Sequence, residues 1–147
     1  MNKKIAELLL VEDNPFDAEL ALSALKEKNL ANNLYHVEDG AEALDFVYAR
    51  SKYADRETRP LPSLILLDLK MPKVDGMEVL RTLKSDPKTR SIPIVVLTSS
   101  KEDPDIKNCY ELGVNSYIVK PVGFENFVKA VSDVGFYWAL LNTNPNM

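Results

Sequence analysis

Sulfur and imidazole are scarce in this chain of 147 residues: Cys109 is its one cysteine and His36 its one histidine. A disulfide framework and a Cys/His zinc site within one chain are thereby excluded, and any chemistry must come from carboxylates, lysine and hydroxyls. Long apolar runs are missing too. The longest, such as Leu64 to Leu67 and Ile94 to Leu97, fall far short of the roughly 20 residues that a membrane-spanning helix needs. Lys3 and Lys4 precede a few apolar residues, but Glu7 and Glu12 interrupt them and no small-residue cleavage site follows, so the start does not read as a signal peptide. Nor is there an excess of positive charge. A formal net charge of -4 speaks against general attraction to nucleic-acid phosphates or anionic lipid. The expectation is a cytoplasmic protein that binds neither nucleic acid nor membrane.

What is present suffices for one domain, with 46% hydrophobic residues to build its core. The expected unit covers residues 1–147, with a core at about 7–141 and a polar tail at 142–147. Five short apolar runs, Ala6–Val11, Asn33–Val37, Leu64–Asp68, Ile92–Thr98 and Ser116–Val119, alternate with segments of helical spacing. That alternation predicts an α/β fold of the (βα)5, flavodoxin-like kind, a doubly wound parallel sheet. The first, third and fourth runs are nearly continuous in Leu, Ile and Val, as inner strands covered on both faces require. The second and fifth read as edges. The strand order follows as 2-1-3-4-5, with a site outside the carboxyl ends of strands 1 and 3.

Helix signals fall between the runs. Asn14-Pro15 and Asp103-Pro104 each offer an N-cap followed by proline at the first helical position. The expected helices run from there to about Lys28, from Gly40 to Ala49, from Gly76 to Ser85 and from Asp103 to Leu112, where Gly113 supplies a stop. A last helix is expected from about Gly123, with Phe124, Phe127, Val128, Val131, Val134, Trp138 and Leu141 at three- and four-residue spacing. Phe136, Tyr137 and Leu140 widen its apolar surface; local packing and a dimer or partner surface are both open readings. Arg50 to Ser63 turns polar and reads as a surface loop.

Glu12 and Asp13 follow the first strand and Asp68 closes the third, so adjacency of those strands would gather the acids into one crevice. All-oxygen ligands suit Mg²⁺, which takes one or two carboxylates together with waters and phosphate oxygens. The bland alternative is a set of solvated loop acids. Thr98 ends the fourth strand and Lys120-Pro121 follows the fifth. A hydroxyl and an ammonium there could hold phosphoryl oxygens beside a nucleophilic carboxylate, since phosphoryl transfer is mostly positioning and charge neutralisation. Taken singly, Thr98 could be an ordinary strand-end hydroxyl and Lys120 a surface charge.

Taken in order, Glu12-Asp13, Asp68 with Met71-Pro72 and Asp75-Gly76, Thr98-Ser99 and Lys120-Pro121 resemble the signature set of response-regulator receiver domains. The likeness extends from about Glu7 to Leu141. It implies that Asp68 is the phospho-acceptor and that Glu12, Asp13, Asp68 and the backbone carbonyl of Lys70 hold Mg²⁺. It further implies that Thr98 and Lys120 bind the phosphoryl group, that Thr98 and Tyr117 form the switch, and that Met71, Pro72, Gly76 and Pro121 shape the site. The plain alternative for Tyr117 is a half-buried strand tyrosine. Residues Gly40 to Val47, the long polar connection to the third strand, Leu64 to Lys70 and Phe136-Tyr137-Trp138 are similar to the small regulators of cyanobacterial and bacterial phytochrome histidine kinases. That narrower likeness implies a phytochrome-type sensor kinase as partner, a homodimer, and output through another protein.

Three rivals follow from the same residues. An aspartate-nucleophile phosphohydrolase expects a second acid two residues after its nucleophile, where this chain has Lys70. A flavodoxin-like electron carrier needs open amides after the first strand, where Glu12-Asp13-Asn14-Pro15 would repel a flavin phosphate. A pseudo-receiver would have lost acceptor-site side chains that are all present. With no Walker-type or kinase-type nucleotide loop in the sequence, phosphate must come from another molecule. His36 and Cys109 read as structural residues.

Overall fold

The structure, a computed structural model, describes residues 7–27, 33–56, 61–69, 74–98, 103–114 and 116–119. Its strands are β1 (Glu7–Val11), β2 (Asn33–Val37), β3 (Leu64–Leu67), β4 (Ile94–Thr98) and β5 (Ser116–Val119). The helices are α1 (Pro15–Glu27), α2 (Gly40–Val47), α3 (Gly76–Ser85) and α4 (Asp103–Leu112). All five strands join one parallel sheet in the order β2-β1-β3-β4-β5, as the alternation of apolar runs predicts.

Successive strand residues point to opposite faces, so a strand that is apolar throughout must be covered on both. Leu8 and Leu10 of β1, with Leu64 and Leu66 of β3, pack under Ala18, Ala21 and Leu25 of α1. Leu9 and Val11, with Ile65 and Leu67, pack on the other face against Phe46 of α2 and Val79, Leu80 and Leu83 of α3. β1 and β3 are thus held from both sides, which fixes the height at which each one ends.

Three element boundaries shift, and one loop gains structure. The third strand closes at Leu67 rather than Asp68, the fourth opens at Ile94 rather than Ile92, and α2 stops at Val47. The largest difference is the polar connection after α2, read as a plain surface loop. Its first half is a 3-10 turn, Ser51–Arg56, reached through Ala49 and Ser51, whose φ angles of 55° and 53° are left-handed. The turn docks on α2 because the Tyr53 ring meets Phe46 edge-on at 5.1 Å and its hydroxyl donates to Glu42 at 2.6 Å. Gly113, with φ of 102°, ends α4 as expected. The last helix from Gly123 and the tail lie outside the described residues, as do Ala6 and Lys28.

Candidate functional site

The site begins where the central ladder runs out. Val11 ends β1 level with Val37 of β2 and Leu67 of β3. One residue further, the Glu12 amide still donates to the Val37 carbonyl and the Asp68 amide to the Val11 carbonyl, each at 3.0 Å. Both residues are therefore the first to leave the sheet while their backbones remain tied to it. Glu12 and Asp68 are buried and Asp13 is exposed, and one carboxylate oxygen from each lies within 4.8 Å of the other two. Two ionised carboxylates 4.8 Å apart repel by about 3.5 kcal/mol at an effective dielectric of ~20, less where solvent reaches Asp13. A cluster of three hard oxygen donors is relieved by a divalent cation, and its chemistry fits Mg²⁺ or Mn²⁺.

Local sequence explains how the acids are held. The Asn14 side-chain oxygen caps α1, accepting from the amides of Phe16 at 2.9 Å and Asp17 at 3.0 Å. Pro15 follows at the first helical position, where a missing N–H costs nothing. The Asn14 amide itself donates to the Glu12 carboxylate at 3.1 Å, so the helix start orients one of the acids. Behind Asp68 the chain turns into α3 through Asp75, whose carboxylate accepts from the Glu78 amide at 3.0 Å. Gly76 is required there. Its amide donates to Leu69 O at 2.9 Å, and a Cβ would run into the backbone of Asp68 and Leu69. Gly40, capped in the same way by Asp39, stands equally close to the Val74 carbonyl. Asp68 and Leu69 thus lie against the first residue of α3, and Val74 against the first residue of α2.

Among the other expected site residues, Thr98 ends β4 in register with Val119, and Tyr117 pairs with Val96. The Tyr117 side chain is half-buried against the α3-side core. Lys70, Met71, Pro72, Lys120 and Pro121 lie outside the described residues. One contact has no signal in the sequence: His36 Nε2 lies 2.8 Å from the backbone oxygen of Glu12. A lone histidine in an edge strand carries no signal for this, because the reach depends on the β1–β2 register.

Comparisons with known proteins follow the same lines. Residues 8–132 match the family model described as the response regulator receiver domain. Among curated proteins, the probable methanogenesis regulatory protein FilR2 of Methanothrix harundinacea is 39% identical over 94% of this chain and 86% of its own length. Response regulator Rcp1 of Synechocystis is 38% identical, over 94% of this chain and 92% of its own length. Among solved structures, the bacteriophytochrome response regulator RtBRR is 50% identical, with a TM-score of 0.82 over 95% of this chain and 83% of that one. Rcp1 has been solved in a Mn²⁺-bound form that aligns with a TM-score of 0.78, 38% identity and coverage of 90% of this chain and 94% of that one.

Proposed function

Because this chain belongs to the response-regulator receiver family, we propose that Asp68 accepts a phosphoryl group from a sensor histidine kinase and that the chain signals through the surface this changes. The observation that carries the reading is the convergence of Glu12, Asp13 and Asp68 within 4.8 Å. In the transfer, an Asp68 carboxylate oxygen attacks the phosphorus of a phosphohistidine from the side opposite the imidazole. The P–N bond breaks, its electron pair stays with the imidazole, and Asp68 becomes an acyl phosphate. Water attack on that phosphorus later releases inorganic phosphate and restores the carboxylate.

Glu12, Asp13, Asp68 and the Lys70 carbonyl are the residues that would hold Mg²⁺, whose contribution is to neutralise charge on the carboxylates and the phosphoryl oxygens. Thr98 at the end of β4 and Lys120 beyond β5 bind two phosphoryl oxygens. Movement of Thr98 toward them draws Tyr117 inward and reshapes the face formed by α4, β5 and the helix expected from about Gly123. The 50% identity to RtBRR favours a phytochrome-type kinase as the donor. Phe136, Tyr137 and Leu140 supply the apolar surplus for a homodimer, which sedimentation with and without beryllofluoride would detect as a dimer in at least one state.

The decisive test is labelling with acetyl phosphate and Mg²⁺. Intact mass should rise by one phosphoryl group, Asp68→Asn should abolish the rise, and chelation should prevent it. An unlabelled wild-type chain refutes the mechanism.

A further inference from the structure

Strand β2 stops at Val37, one residue short of the level at which Glu12 leaves the sheet. The peptide before Glu12 is held by the hydrogen bond that its N–H donates to the Val37 carbonyl at 3.0 Å. The peptide after it, which joins Glu12 to Asp13, has its carbonyl oxygen 2.8 Å from His36 Nε2. A carbonyl only accepts, so Nε2 must be the protonated nitrogen and the neutral ring must be the Nε2–H tautomer. The two bonds fix Glu12 on both sides, one through the strand ladder and one through a side chain where the ladder has ended.

The ring itself is braced. His36 is half-buried and level with Leu10, which belongs to the core under α1, as does Leu34 two residues earlier on the same face of β2. The Glu12 carboxylate already has a backbone donor in Asn14. Asp13 is exposed, so packing does not aim its side chain; the orientation of the peptide that carries it does. We infer that His36 is a positioning residue for the acidic site, setting the direction of the Asp13 carboxylate by anchoring the Glu12–Asp13 peptide from the edge strand. The inference rests on the receiver reading, and it gives the chain's one histidine a role beside the acceptor without making it a phosphodonor. Partners that orient metal ligands from behind are commonly worth ten- to a hundredfold in affinity, roughly, and the lower end applies to one backbone bond.

The test is a Mn²⁺ titration of the full chain without any phosphodonor, followed by the electron paramagnetic resonance of the free ion, with Mg²⁺ as competitor. Wild type, His36→Phe and His36→Gln are compared. Phenylalanine keeps a ring but loses the donor, and should weaken Mn²⁺ binding by about tenfold. Glutamine places an amide N–H near the position of Nε2 and should return affinity to within roughly threefold of wild type. Equal affinity in all three proteins overturns the inference, and so does an equal loss in both variants, which would mark a packing role. Should His36→Phe fail to fold, the ring ¹⁵N spectrum of the wild type decides: with a single histidine there is one ring to observe, and an Nδ1–H tautomer overturns the inference. The receiver reading is judged separately. A wild-type chain that takes phosphate from acetyl phosphate while its variants bind Mn²⁺ equally well loses only the role of His36, whereas one that binds no Mn²⁺ loses both.

Discussion

Acids are treated in opposite ways in two regions of this molecule. At the ends of β1 and β3, three carboxylates crowd within 4.8 Å. Along α2 and beyond α3 they are dispersed, each with donors of its own. Glu42 takes the Tyr53 hydroxyl at 2.6 Å and the Lys52 ammonium at 2.9 Å, and Asp86 takes the Tyr48 hydroxyl at 2.8 Å. Burial, the largest single influence on Glu42, pushes its carboxyl upward, but bonds from Tyr53, Lys52 and the Glu38 amide, with the Lys52 charge, outweigh it and leave it below its ordinary value. The Lys88 amide and then the Tyr48 hydroxyl hold Asp86 low as well. Dispersed acids stabilise the fold; gathered acids cost stability and make a place for a cation and a phosphoryl group.

The strongest test of the contrast strikes the frame of the crowded site. Gly76→Ala must displace the Asp68–Leu69 backbone and should cost about 3 kcal/mol in urea unfolding, together with the acceptor geometry. Next, Asp13→Asn removes one like charge from the cluster. It should weaken Mn²⁺ binding by at least about tenfold, yet raise the metal-free melting temperature by roughly 2–4 °C; a fall in melting temperature would break the comparison. In the dispersed region the sign reverses. Tyr53→Phe should destabilise by about 1 kcal/mol and remove part of a pH dependence. Because the Glu42 carboxyl is depressed on folding, its contribution is fully present above about pH 4.3, the unfolded value, and is lost as the pH falls through the lower folded value. Urea midpoints measured between neutral and acid pH should therefore converge for wild type and variant. Smallest of all, Lys52→Ala breaks a bond whose lysine is 70% exposed and should barely move the urea midpoint, and less still in high salt.

The sheet was legible because continuous apolar runs and proline-led helix starts carry their own period and boundaries. Strand order followed from which runs were apolar throughout, and it brought Glu12, Asp13 and Asp68 together before any geometry was known. The boundaries at Val47 and Leu67 were less legible, because termination depends on where neighbouring elements stop. Tyr53 was read as part of a polar loop because one aromatic residue in a charged stretch has no periodicity to announce it. The demand for glycine at positions 40 and 76 was not visible, because the backbone lying against each comes from outside its own helix: Val74 for Gly40, Asp68 and Leu69 for Gly76. His36 was hidden for the same reason, its partner being 24 residues away.

The left-handed turn at Ala49 and Ser51 has a kinetic consequence. A non-glycine residue in that conformation sits roughly 1–2 kcal/mol above its relaxed state, so the backbone there is held down by something other than its own preference. The Tyr53 ring, seated against Phe46, is the latch. In Tyr53→Ala, which removes it, the amides of residues 48–56 should exchange with deuterium far sooner than those of β1 or β3. In this way residues 48–56 form a separately timed door beside a frame whose central strands are buried on both faces.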